Sequence, residues 1–240
     1  MINTETLKHR EVRAVVGLAE MRAMQLDVRG DYLALGRTQT YDLARKLLDA
    51  DLIYPLIEVQ AGAKWVVPKP RTSAWALGWR ASDWRPSPMW AEHYRAVAQT
   101  RVALDACASH QWMSERIMRH EAPGRGPYPY DGRLMRPDWQ CVAVKVDTTR
   151  YLTPEEFSHR LHAMRDQARR DQCAEVLYVC GGYVRPDTAV AIARRVLRYE
   201  SDLDFVAMDL DSLIAKHRGP KRSGKGVVFP LRHRATGGAH

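Results

Sequence analysis

The run Arg37-Thr38-Gln39-Thr40-Tyr41, followed by Arg45 and Lys46, gathers side chains suited to reading nucleic acid. Gln and Arg can hydrogen-bond base edges in a major groove, and Tyr, Thr and Lys can reach phosphate oxygens. The same pattern also suits an ordinary amphipathic helix whose polar face is simply solvated. What separates the two readings is the set of elements that would hold these groups in place.

Leu43, Leu47 and Leu48 recur at i, i+4 and i+5, the spacing of one apolar helix face, so the polar groups fall opposite them. Gly36 suits a tight turn before this helix, and Thr38 is placed as its N-cap. Upstream, Glu11 to Met24 sets Val12, Val15, Val16, Ala19 and Ala23 on one face and predicts a first helix. Asp27 to Leu35 predicts a shorter second helix, with Val28, Tyr32, Leu33 and Leu35 turned inward. Downstream, the β-prone run Leu52 to Gln60, the small connection Ala61-Gly62-Ala63 and the return run from Lys64 predict a hairpin. Three helices followed by a hairpin describe a winged helix-turn-helix over residues 1–80. Lys64 and Lys69 would then meet phosphate or the minor groove. A hairpin with no role in DNA binding is the alternative.

The 240-residue chain carries 37 Lys+Arg against 28 Asp+Glu, a formal net charge of +9 that favours a polyanionic partner. A membrane surface fits less well, because no basic amphipathic stretch has a bulky apolar face and no apolar run reaches the roughly 20 residues of a span. The first residues lack the pattern of a secretion signal, so a cytoplasmic location is expected. Cys107, Cys141, Cys173 and Cys180 have neither zinc-site spacing nor the density of a disulfide scaffold, and are expected to be reduced and packed.

From Arg71 the chain is dense in Trp75, Trp79, Trp84 and Trp90 and broken by Pro86 and Pro88, which predicts the end of the first domain and a linker at 81–90. A second domain over 91–215 is expected. It starts with a helix from about Ala91 to Ala108, on which His93 reads as a structural hydrogen-bonder, and continues with a helical piece from Gln111 to Arg119. A Gly/Pro/Tyr-rich loop spans Ala122 to Gly132. Strands are expected at Cys141–Asp147, Glu175–Cys180 and Leu203–Asp209, alternating with helices from Thr153 and Pro186. Thr153-Pro-Glu-Glu156 is a capping box with Pro at the first helical position. This alternation implies right-handed crossovers and a buried, largely parallel sheet. Gly181-Gly182 after a strand invites a phosphate-loop reading, but it lacks both the G-x-G-x-x-G spacing and a following Lys-Ser/Thr.

Taken in order, the helix ending Leu-Leu-Asp-Ala-Asp-Leu-Ile53, the helix led by His93, Trp112-Met-Ser-Glu-Arg116, Arg136-Pro-Asp138 and Val142-Ala-Val-Lys-Val-Asp147 resemble the replication-relaxation family of plasmid and other mobile-element proteins. The resemblance covers roughly residues 10–215. It implies a winged helix joined to an α/β, restriction-endonuclease-like PD-(D/E)xK domain with a mixed, partly parallel sheet. The implied role is sequence-specific binding of double-stranded DNA to control transcription, as a repressor for instance, or replication or transfer of a plasmid or phage.

The resemblance also implies an alternative, a Mg²⁺-dependent nuclease using Glu115, Asp138, Lys145 and Asp147. Such an enzyme needs two or three carboxylates around the metal and a Lys near the attacking water. The acid expected two residues before the lysine is Ala143 here. Taking Lys145 into the acid's place sets a cation against a dication. A degenerate core without catalysis, and without a cofactor, is the favoured expectation. Finally, residues 216–240 read as a basic, Gly/Pro-interrupted tail suited to phosphate contacts or to solubility, with Val227-Val-Phe229 as an alternative edge strand. Homodimerisation is left open by the sequence.

Overall fold

The structure, a computed structural model, describes residues 7–59, 61–124, 126–197 and 203–218. The chain is mixed α/β with a mixed, partly parallel sheet, and it divides into two compact units, 1–126 and 127–240. Most of the basic tail and Val227–Phe229 lie outside the described residues. The first three positions assigned to that tail, 216–218, instead complete a helix, Leu210–Arg218.

The first unit opens with α1 (His9–Glu20), which buries Ala14, Val15, Leu18 and Ala19 but leaves Val12 and Val16 only partly covered. It stops earlier than the sequence predicts. Arg22 turns the chain with φ 68°, and Met24–Gln25 become a short strand, β1. The second helix, α2 (Leu26–Leu33), ends in a left-handed Ala34. The chain then turns through Leu35 and Gly36 into α3 (Arg37–Asp49). Close approach of α2 and α3 requires Gly30, because a Cβ there would lie 2.8 Å from Thr40 Oγ1.

The expected hairpin exists in irregular form. Trp65–Val66 (β2) pairs antiparallel with β1, and the arm before it meets the return run only at the bridges Ile53–Pro68 and Ile57–Trp65. Pro55 has no N–H to donate, which breaks the ladder in that arm. The end of the expected first domain and the linker expected at 81–90 are both packed. Pro70–Leu77 form a helix, α4, that packs on α1, with Thr72 and Ser73 buried. Trp84 lies edge-on to both Trp65 and Tyr94, and Trp79 stacks on His120 at 4.0 Å. The helix expected at 91–108 is α5 (Pro88–Ala103), and it packs against α2. Residues 81–103 therefore belong to the first unit. The helical piece expected at 111–119 is a strand followed by a helix, β3 (Trp112–Ser114) and α6 (Glu115–Glu121).

In the second unit, β4 (Gly132–Met135) runs antiparallel to β5 (Cys141–Asp147), while β6 (Glu175–Cys180) and β7 (Asp204–Asp209) follow in parallel register. The crossovers are α7 (Pro154–Arg170) and α8 (Pro186–Val196). The capping box forms as the sequence predicts: Glu156 N–H donates to Thr153 Oγ1 at 3.2 Å and Thr153 N–H donates to Glu156 Oε2 at 2.9 Å. Strand β6 is buried along its whole length, as a strand covered on both faces must be.

Candidate nucleic-acid interface

Helix α3 has two contrasting sides. Leu43, Ala44 and Leu47 face inward with Thr40, whereas Arg37, Thr38, Gln39, Tyr41, Arg45 and Lys46 are exposed. Tyr41 keeps 43% of its surface and the Arg45 side chain 74%. At 100° per residue, Arg37, Thr38, Tyr41 and Arg45 fall within a single arc, while Gln39 and Lys46 border it on the far side. Leu48 joins the exposed arc at 38%, not the buried face.

Three assignments made from the sequence change. Thr38 is not the cap: Gly36 is the N-cap, and its N–H donates to Gln39 Oε1 at 3.3 Å. Thr40 is buried at 4% and donates its hydroxyl to Gly36 O at 3.0 Å, so it steadies the turn and cannot reach a ligand. Lys69 caps α4 and pairs with Asp51, which also takes Arg71, so its charge is largely answered within the protein. Lys64 remains exposed near the tip of the hairpin, at 4.0 Å from Glu58. Gln25 Nε2 donates to Ala63 O at 2.9 Å, which anchors that tip to β1.

Two features escaped the sequence reading. Lys8, Arg10 and Arg13 share with Lys46 and Gln39 the lining of an open groove of about 710 Å³, together with Glu11 and Asp42. Nothing in the local pattern ties residue 8 to residue 46; only the packing of the helices does. The second feature is Arg29, fully buried beneath α3, whose Nη2 donates to Thr40 O at 2.8 Å. Burial lowers its pKa to about 10, so it keeps its charge at neutral pH. It places a cation beneath the first turns of α3. Asp42, 4.0 Å from Arg45, is an exposed carboxylate beside this arc, and it can accept from a cytosine amino group.

The nuclease residues of the second unit are not brought together. Asp138 is exposed in the turn between β4 and β5, and Asp147 ends β5; six strand steps of about 3.3 Å separate Cys141 from Asp147, roughly 20 Å. Lys145 pairs with Asp131 at 3.1 Å. Asp147 is 2% exposed and accepts from the Tyr178 hydroxyl and from Thr149 N–H at 2.9 Å. Glu115, in the first unit, pairs with Arg22 at 2.8 Å and Arg119 at 3.2 Å. Among the described residues there is no group of three or more His, Cys, Asp or Glu side chains that could hold a metal ion.

Gly181-Gly182 is explained by packing. A Cβ on Gly182 would sit 2.4 Å from Thr149 O, so the close approach of the loop after β5 requires glycine there. Among the described residues no helix is long and apolar enough to cross a membrane. No family model, curated protein or solved structure matches the chain.

Proposed function

We propose that the protein binds double-stranded DNA in a sequence-specific manner, with α3 as the reading helix of a winged helix-turn-helix. The observation that carries this reading is the two-sidedness of α3. A back of Thr40, Leu43, Ala44 and Leu47 is seated on the protein, and a front presents Arg37, Thr38, Gln39, Tyr41, Arg45 and Lys46. A short turn from α2, a helix width matched to the major groove and a net charge of +9 support it. In this arrangement Gln39 and Arg45 meet base edges and Tyr41, Arg37 and Thr38 meet phosphates. Lys64 follows the adjacent backbone from the hairpin, and Lys8, Arg10 and Arg13 line the strand beside α1. The second unit, a degenerate nuclease-like scaffold on the resemblance to replication-relaxation proteins, completes a cytoplasmic regulator of transcription, replication or transfer in a mobile element.

No observation favours the Mg²⁺-dependent nuclease, because Asp138 lies in the turn before β5, Asp147 ends that strand and Lys145 is engaged by Asp131. The experiment is selection of bound sequences from a random duplex pool. The proposal expects an enriched motif, whose symmetry distinguishes a monomer from a homodimer on the site. A pool that stays random through successive rounds would remove the sequence-specific reading.

A further inference from the structure

The second unit brings two cysteines together. Cys141 opens β5, and Cys173 sits in the turn between α7 and β6, with their sulfurs 2.9 Å apart. Backbone bonds hold this arrangement: Ala174 N–H donates to Cys141 O at 2.9 Å and Cys173 N–H to Ala168 O at 2.8 Å. Cys141 is half-buried and Cys173 is 6% exposed. We propose that Cys141 and Cys173 form a modification site, a thiol pair that closes to an intrachain disulfide in response to a small disulfide oxidant such as oxidised glutathione.

The surroundings divide the two roles. The hydrogen bond with Cys173 lowers the pKa of Cys141 against the effect of burial, and the charge of Arg133 helps. The same hydrogen bond and burial raise that of Cys173. Cys141, the more exposed of the two cysteines, is therefore the one that attacks, as its thiolate. Its sulfur bonds to one sulfur of the oxidant, the oxidant's S–S bond breaks, and one glutathione leaves as thiolate. Cys173 then gives its proton to that thiolate and attacks Cys141 Sγ, releasing the second glutathione. Two protein thiols are oxidised and one glutathione disulfide is reduced to two thiols. Burial pushes the Cys107 thiol up, and burial followed by Asp147 and Asp209 pushes Cys180 up to about 12, so neither competes at neutral pH.

The test is thiol titration and peptide mapping of the full chain equilibrated with oxidised and reduced glutathione. Accessible thiols after denaturation should fall from four to two, with one cross-linked peptide joining residues 141 and 173, and return on reduction. Cys173→Ser should stop at a stable glutathione adduct on Cys141, and Cys141→Ser should form neither adduct nor cross-link. Cys107→Ser keeps closure and serves as the folded control. Four thiols surviving excess oxidant in the wild type, or a cross-link through Cys107 or Cys180, would overturn the proposal.

Discussion

The carboxylate of Glu20, at the end of α1, meets Arg101, in the last turn of α5, at 2.7 Å, and the two side chains are 5% and 0% exposed. Arg101 Nε also donates to Ala106 O at 2.8 Å. Breaking such a pair from one side strands a buried charge and costs about 3–5 kcal/mol. Replacing both partners with apolar residues leaves stability within a few kcal/mol of wild type, in either direction. Glu20→Gln leaves a guanidinium that cannot shed its proton. Arg101→Met leaves the Glu20 carboxylate buried without its partner. Against a typical total of about 5–15 kcal/mol, either single change removes a large share of the first unit's stability. Urea unfolding followed by tryptophan fluorescence reads that unit almost alone, because Trp139 is the one tryptophan beyond residue 126 and is 83% exposed. The reasoning is refuted if each single variant stays within about 1 kcal/mol of wild type, or if the double variant Glu20→Leu/Arg101→Met loses the sum of the two singles.

Arg45→Ala should leave the urea midpoint unchanged, since the side chain is 74% exposed, yet weaken binding to a selected duplex by about 1–3 kcal/mol and relax base preference at one position. Lys64→Ala should weaken all duplexes alike and reduce the salt slope of log K by about 0.9, as read by anisotropy titrations across salt concentrations. Asp27 is chelated by Arg95 at 2.6 and 3.0 Å; burial raises its pKa, but the pair with Arg95 outweighs this and the net shift is downward. A depressed folded pKa stabilises above the ordinary aspartate range and is lost as pH falls through the folded value. The stability gap between wild type and Asp27→Asn should therefore be full at about pH 6 and close on acidification below about pH 4. Gly182→Ala, whose Cβ meets Thr149 O at 2.4 Å, should destabilise the second unit by about 1–3 kcal/mol, seen as an earlier far-UV thermal transition; a gain in stability would contradict the packing.

The alternation β5–α7–β6–α8–β7 was legible because each element is long enough to carry its own periodicity, and because Thr153 and Glu156 mark a helix start with a local hydrogen-bond pattern. Short pieces were not. Met24 lies within the helix that the spacing predicts, and only the left-handed Arg22 and the pairing with Trp65–Val66 make Met24–Gln25 a strand. Helix α4 is short and carries little periodicity of its own, and its partner α1 lies about fifty residues earlier in the chain. On α3 the exposed side could be read from spacing, but the cap could not: Gly36 and Thr38 are both acceptable cap residues, and Gly36 is the one that takes the extended cap conformation. Lys69 looked available until packing placed Asp51 beside it. The cationic lining from α1 depends wholly on tertiary structure.

Photo-crosslinking from position 41 would report whether the exposed side of α3 lies against DNA. With benzophenone replacing Tyr41, the account expects cross-links to a selected duplex at positions covered by the enriched motif, suppressed by unlabelled duplex of the same sequence. Cross-links from position 41 that form equally on duplexes lacking the motif, or none at all on the selected duplex, would contradict it.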